Sequence, residues 1–291
     1  SNSALIMEGG EPVYETGYSY YRAFEYHWLV AKFFESLGVT KFVARLPNVF
    51  FNVGTLVIIY VFARRHSRGI ALLSALMWAS TNYVLSLTRT VRMYPMFWFL
   101  FVLSAFLFYR AVSDPVRPVL RLRWANVDLS FNPILLAAFA AVFWLAFQTH
   151  ALAAVLVWGV LLYFVFQLIT GDSRPRAVTG AVIAAAILFA GAYARYGTLN
   201  LLDAYFLRQT KGWEFSPIFS NIFDPFRASL ALWPLFLASV AAGVLGRNNV
   251  LRFTAAIAAA GILLLGFQEV QRPRYVTMLL PFVIMAVLIM L

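Results

Sequence analysis

Nine apolar runs, each close to the length of a membrane-spanning helix, constrain the fold of this chain more than any other feature. A helix that crosses a hydrocarbon layer of about 30 Å needs about 20 apolar residues. Only helices and closed barrels satisfy their backbone hydrogen bonds in lipid, and these runs lack the alternating pattern of barrel strands. The sequence therefore predicts an all-α, polytopic transmembrane helix bundle, with spans at residues 42–63, 69–88, 94–112, 132–149, 151–169, 177–196, 229–246, 250–267 and 275–291.

The composition excludes several classes of function. The chain is 62% hydrophobic and 12% charged, whereas soluble domains carry about 25% charged residues. Its net charge of +11 arises from arginines in the short connections between apolar runs, not along one basic face, so we expect no nucleic-acid partner. The sequence contains no cysteine, which excludes disulfides, thiolate catalysis and cysteine-based metal sites.

The basic connections predict the orientation of the bundle. The short segments 64–68, 172–176 and 246–252 fall on one side together with the 113–131 linker. Because the positive-inside rule weights short loops, we expect this side to face the cytoplasm across a prokaryotic-type plasma membrane. The long loops 1–41 and 197–228 would then lie outside.

The first 41 residues are interpreted as an outer loop that contains one interfacial helix. Within 25–37, apolar residues recur at helical spacing, and Glu25, Lys32 and Ser36 share another face. This pattern is typical of an amphipathic helix lying in the membrane interface. Residues 42–291 form the bundle, and we expect the chain to be part of a longer polypeptide because it stops at Leu291 inside an apolar run.

Three separated arginine sites lie on the outer side, where the positive-inside rule disfavours them. Arg22 lies within GYSYYRAFEYHWL at 17–29, the i, i+3 pair Arg89 and Arg92 lies in LTRTVRMYP, and Arg272 and Arg274 open the last span. Each arginine alone would usually extend to lipid headgroups. Together they favour a phosphate site, because the planar guanidinium donates two parallel hydrogen bonds and stays charged.

Other outer residues are candidates for the same pocket. They are Tyr20, Tyr21, His27, His150, Glu214 and Tyr275. The alternative interpretation makes the tyrosines an aromatic belt and His150 a hydrogen-bonding residue at a hairpin tip. The chain has three scattered histidines, which give no metal-ligand spacing.

Two stretches carry a family resemblance. Residues 17–51, GYSYYRAFEYHWLVAKFFESLGVTKFVARLPNVFF, and residues 60–97, which include ARR and end in RTVRMYPMF, resemble the membrane-embedded C-type (GT-C) glycosyltransferases. The branch that contains protein O-mannosyltransferases and aminoarabinose transferases is the most similar, and RYVTMLLPF at 274–282 resembles one of its later spans.

The resemblance implies where the substrate headgroup would bind. It places Arg22 where relatives carry a basic residue that contacts the lipid phosphate, with Arg89, Arg92 and Tyr94 near the same headgroup. The family's catalytic acid belongs to an Asp-Glu motif that would lie upstream of Ser1. Glu8 does not match that motif, so the catalytic residue is left unassigned.

The expected function is transfer of a hexose or pentose from a polyprenyl-phosphate donor to an acceptor hydroxyl on the extracytoplasmic face. The acceptor is left open among protein, lipid and polysaccharide. A divalent metal is also left open, because the resemblance includes metal-dependent and metal-independent branches. Two alternatives are a lipid or solute transporter and a catalytically inactive relative. A transporter would place ionisable groups near the midplane of the membrane, where these spans are nearly free of charge.

Overall fold

The structure, a computed structural model, describes residues 23–113, 120–124, 127–170, 232–246, 248–266 and 273–291, together with single residues at 6, 180 and 186. Eight of the nine predicted spans coincide with helices in these ranges, whereas run 177–196 lies outside them except for residues 180 and 186. The helices are α1 (Phe24–Leu37), α2 (Lys41–Ala63), α3 (Arg68–Ala79), α4 (Asn82–Thr88), α5 (Tyr94–Ser113), α6 (Pro133–Thr149), α7 (Ala154–Ile169), α8 (Leu232–Leu245), α9 (Asn249–Gly266), α10 (Pro273–Val276) and α11 (Leu280–Met290).

The helices confirm the predicted all-α membrane bundle. Within the described residues, α2, α5 and the stretch Ala151–Ile169 are long and apolar enough to cross a membrane, and α3 with α4 would make a fourth crossing as a bent pair. Four further helices are apolar but shorter. A hairpin of two antiparallel strands, β1 (Leu120–Trp124) and β2 (Val127–Phe131), lies in the linker after α5.

The predicted span at 69–88 is broken. Helices α3 and α4 meet at an angle of 59°. At the break, the hydroxyls of Ser80 and Thr81 both donate to the carbonyl oxygen of Met77, at 3.2 and 2.8 Å. Side-chain hydroxyls that bond to a carbonyl in the preceding turn favour a bend in the helix. Hydropathy alone does not show such a break, because both halves are apolar.

The amphipathic segment predicted at 25–37 is helical, as α1. It begins after Ala23, whose φ of 53° is left-handed, and ends at Gly38 with φ of 85°. The side chain of Thr40 then caps α2 by accepting from the backbone N–H of Val43 at 3.1 Å. Tyr26, one of the buried residues of α1, faces the bundle, so the helix packs against it along one side.

The two ends of the bundle are distinct. The His66 side, named here for the turn after α2, contains the α2–α3 turn, the C-terminal end of α5 and the α8–α9 connection. His66 shares a hydrogen bond of 3.0 Å with Asn248, and the guanidinium of Arg65 lies 5.7 Å from the ring centre of Tyr109. The Arg89 side carries the α4–α5 turn, the α6–α7 connection and α10. The sequence predicted that segments 64–68 and 246–252 lie at the same end, and the bond between His66 and Asn248 agrees with this; segment 172–176 lies outside the described residues.

Arg252 on the His66 side differs from its expected role as a basic loop residue. Its side chain is fully buried in the first turn of α9. Nε donates to the carbonyl oxygen of Gly243 at 3.1 Å, and Nη2 donates to that of Gly246. Because the last carbonyls of a helix lack partners within it, this guanidinium satisfies the C-terminus of α8.

Candidate functional site

Three residues proposed from the sequence meet on the Arg89 side. The ring centre of His150 lies 6.2 Å from that of Tyr94 and 5.4 Å from that of Tyr275. The ring centre of Phe97, one turn after Tyr94 on α5, lies 5.1 Å from that of His150. These side chains come from α5, α10 and the α6–α7 connection, so the cluster joins three elements that are distant in sequence.

The hydrogen bonds of His150 indicate its tautomer. The residue ends α6 and begins the short 3-10 turn Ala151–Ala153, and its Nδ1 accepts from the backbone N–H of Leu152 at 3.2 Å. A nitrogen that accepts a hydrogen bond carries no proton, so the neutral ring holds its proton on Nε2. His150 is therefore both a cap of the hairpin and a buried imidazole with an N–H donor. The alternative prediction, that His150 forms a hydrogen bond at a hairpin tip, is thus met, and the residue also belongs to the aromatic cluster.

Arg89 and Arg92 are both exposed at the turn between α4 and α5. The i, i+3 spacing of this pair predicts that both side chains share one helical face. That prediction is wrong, because α4 ends at Thr88 and residues 90–93 form a bent turn. Within that turn, the N–H of Arg92 donates to the carbonyl oxygen of Thr90 at 2.9 Å. Among the described residues, neither arginine forms an ion pair with a carboxylate.

A buried contact that the sequence analysis missed holds this turn. Asn48 on α2 is fully buried, and its Nδ2 donates to the same carbonyl oxygen of Thr90. The sequence did carry a signal: Asn48 and Asn52, one turn apart, interrupt an otherwise apolar run directly after Pro47. Polar side chains at i and i+4 lie on the same helix face.

Tyr26 of α1 lies beside Asn48. Burial raises the pKa of the Tyr26 phenol, and the nearby Asn48 side chain partly offsets that rise. The two groups are close without a hydrogen bond of normal geometry: neither the Tyr26 hydroxyl nor Asn48 Oδ1 has a partner among the described residues. The contact brings α1, α2 and the arginine turn together at one place.

His27 lies next to this contact. Its ring packs edge-on against Tyr26, with centres 5.6 Å apart. Partial burial lowers the pKa of the imidazole below its ordinary value. At neutral pH the ring is therefore neutral, which suits a hydrogen-bonding role better than a permanent charge.

The remaining site predictions fall outside the described side chains. They are Tyr20, Tyr21, Arg22, Glu214 and Arg272, with Arg274 described in its backbone alone. The gathering of all the arginines around one headgroup therefore stays a prediction. No group of three or more metal-ligating side chains occurs within the described part of the chain.

Comparison with known proteins gives a likeness in structure alone. No protein-family model and no curated protein matches the chain. Solved structures with the same fold include ArnT from Cupriavidus metallidurans bound to undecaprenyl phosphate, with a TM-score of 0.69, and ArnT in the apo state, with a TM-score of 0.68. Each is 14% identical and covers 99% of this chain, which spans 53% of theirs.

The match extends over almost the whole sequence, so it applies to the bundle and not to one helical hairpin. The chain therefore has the helical membrane fold of ArnT, and its long apolar helices make it an integral membrane protein. It corresponds to about half the length of those structures. At this identity, the likeness establishes the fold.

Proposed function

We propose that this protein is an integral membrane glycosyltransferase that uses a polyprenyl-phosphate-linked sugar. The observation that supports the proposal is the fold of the chain, because ArnT, which has the same fold, was solved bound to undecaprenyl phosphate. In this chain one end of that fold presents two exposed arginines beside a buried cluster of aromatic rings and an imidazole. An anionic headgroup with an apolar tail matches such an end, since guanidinium groups bind phosphate and apolar helices accommodate the tail.

The reaction would break one bond and form another at the anomeric carbon of the donor sugar. The oxygen of the acceptor hydroxyl attacks that carbon while a carboxylate accepts its proton. The bond from the anomeric carbon to the phosphate oxygen breaks, and the polyprenyl phosphate leaves with the electron pair. Arg89 or Arg92, with Arg22, would stabilise the growing negative charge on the phosphate. The carboxylate is not assigned among the described residues.

The sugar would be a hexose or pentose, and the acceptor a hydroxyl of a protein, lipid or polysaccharide on the extracytoplasmic face. The branch with protein O-mannosyltransferases and aminoarabinose transferases is the best candidate for close relatives. Arg274 of α10, and Arg272 just before this helix in the sequence, would bind the same phosphate; Tyr275 of α10 packs on His150.

The transporter alternative receives less support. A transporter of charged or polar substrates needs ionisable side chains inside the bundle. Among the described residues, the one charged side chain that is fully buried is Arg252, and it is engaged by carbonyls at the end of α8 on the His66 side. The exposed arginines instead lie at the opposite end, at a turn between helices.

Binding of undecaprenyl phosphate to the purified full-length protein in nanodiscs tests the proposal. We expect Arg89→Gln and Arg92→Gln each to weaken binding about 10- to 100-fold, because one charge-assisted hydrogen bond contributes about 1.5–3 kcal/mol. In transfer assays with polyprenyl-phosphate sugars, the loss would be about 10²–10³ in kcat if the arginine acts on the leaving group.

Arg64→Gln is the matched control. Arg64 is also an exposed arginine at a helix end, but it lies on the His66 side. We expect this variant to bind undecaprenyl phosphate as the unchanged protein does. Equal loss in all three variants would show nonspecific attraction of the lipid, and undiminished binding in both Arg89→Gln and Arg92→Gln would contradict the assigned site.

A further inference from the structure

We propose that Asn48 is a positioning residue for the phosphate site, because it fixes the turn that carries Arg89 and Arg92. This inference rests on the proposed function for its consequence in binding. Its structural half, the tie between α2 and the turn, rests on the geometry alone. Asn48 touches neither arginine side chain and is assigned no direct contact with substrate.

One hydrogen bond between residues distant in sequence joins α2 to the turn. Nδ2 of Asn48 donates to the carbonyl oxygen of Thr90, 42 residues later. The same oxygen accepts from the N–H of Arg92 at 2.9 Å, so both of its acceptor positions are used. The Thr90 hydroxyl also donates to the carbonyl oxygen of Leu87 at 2.8 Å, which links the turn back to α4.

The turn needs such a tie because its other restraints are local. Residues 89–92 are exposed and lie outside the helices, so little packing restricts them. Arg89 and Arg92 carry like charges that repel, and the repulsion is stronger near a membrane than in bulk water. The Asn48 amide is fully buried on the rigid helix α2. It therefore anchors the turn to the bundle from a point that solvent does not reach.

The contacts around Asn48 favour a positioning role. Its Oδ1 has no hydrogen-bond partner among the described residues, so its described hydrogen bond is the donated one to Thr90. A buried amide with an unused acceptor is costly. An apolar residue would avoid that cost but could not hold the turn. Tyr26 beside it also connects α1, the helix that directly follows Arg22, with the same point.

Asn52 provides a matched control one helical turn away on α2. Its Oδ1 accepts from Nε1 of Trp78 at 2.9 Å, so it ties α2 to α3 and not to the turn. Replacing either residue with leucine keeps the side-chain size and removes one hydrogen bond between elements. Asn52 is partly buried, whereas Asn48 is fully buried. A difference in the exchange of residues 89–94 between Asn48→Leu and Asn52→Leu then reports on the bond to the turn, because the bond of Asn52 goes to α3 instead.

The experiment combines two measurements on the full-length protein in nanodiscs. Hydrogen–deuterium exchange follows the backbone amides of residues 89–94, and titration with undecaprenyl phosphate gives the Kd. For Asn48→Leu we expect faster exchange in 89–94 and a Kd raised about tenfold, with donor KM raised more than kcat is lowered. For Asn52→Leu we expect unchanged exchange in 89–94 and a Kd within about twofold. Asn48→Ala replaces Asn48→Leu if the leucine variant does not fold.

Unchanged exchange of residues 89–94 in the Asn48 variant overturns the assignment, and so does an equal loss of affinity in both leucine variants. Failure of the proposed function is distinguishable from this. If the unchanged protein does not bind undecaprenyl phosphate, the phosphate site is wrong. The exchange of residues 89–94 then still decides whether Asn48 holds the turn.

Discussion

His27 illustrates at the scale of one residue how burial controls a charge at this site. Its imidazole packs against Tyr26, and partial burial lowers its pKa from the ordinary value of 6.5. In the unfolded chain the ring returns to that ordinary value. Between the two pKa values the unfolded state binds more protons than the folded state, so the folded protein loses stability as the pH falls below about 6.5.

We therefore expect acidification from pH 7.5 to 5.5 to lower the Tm of the unchanged protein more than that of His27→Gln. The difference should be small, because His27 is only partly buried. Thermal unfolding in one detergent at both pH values measures it. An equal shift in both proteins would show that other groups determine the acid sensitivity.

Single residues also mark where the sequence stops being informative. Tyr94, His150 and Tyr275 were placed at the same end of the bundle, because consecutive spans alternate in direction. The contact from Asn48 to Thr90 could not be found in this way, since a hydrogen bond between residues 42 apart depends on how α2 and α4 pack. The sequence assigned Arg252 only to the basic connection 246–252. Its bonds to the carbonyl oxygens at the end of α8 depend on how α8 and α9 pack.

At the scale of elements, glycine sets how closely two helices approach. A Cβ atom on Gly159 of α7 would lie 2.7 Å from the Cα of Ile257 on α9. That contact is with backbone, which cannot turn aside as a side chain can. Small residues at helix contacts are typical of membrane bundles, because they let the backbones pack closely.

We expect Gly159→Ala to destabilise the protein by about 1–3 kcal/mol, since α7 and α9 must separate to admit the methyl group. Gly69→Ala is the control, because no atom lies within 4 Å of its added Cβ. That change should be neutral or slightly stabilising, since alanine favours helix more than glycine does. Thermal unfolding followed by circular dichroism compares the two. Similar Tm values for both variants would contradict the close approach of α7 and α9.

The bend between α3 and α4 shows the limit of hydropathy as a guide to elements. Residues 69–88 are apolar enough for one span, and the sequence was interpreted so. The structure breaks it because Ser80 and Thr81 turn their hydroxyls back to the carbonyl of Met77. The break redirects α4 toward the turn with Arg89, so a local side-chain preference determines where the exposed arginines lie.

For the whole molecule, the order of the spans could be predicted from hydropathy. The orientation of the bundle in the membrane is a prediction from the distribution of charged residues. Eight apolar runs became helices because each must satisfy its own backbone in lipid. The bond between His66 and Asn248 places two basic connections together, as alternating spans require. The positive-inside rule then predicts that the His66 side faces the cytoplasm.

Cysteine labelling tests that orientation directly, because residues 1–291 contain no cysteine that would give background labelling. Val91 on the Arg89 side and Arg64 on the His66 side are both exposed. In right-side-out vesicles, we expect a membrane-impermeant maleimide to label Val91→Cys at once and Arg64→Cys only after permeabilisation. The reverse pattern would place the arginine turn in the cytoplasm and exclude an extracytoplasmic site. Labelling of both residues without permeabilisation would contradict the separation of the two ends by the bilayer. A site that holds a phosphate at one end and a lipid tail among the helices depends on that separation.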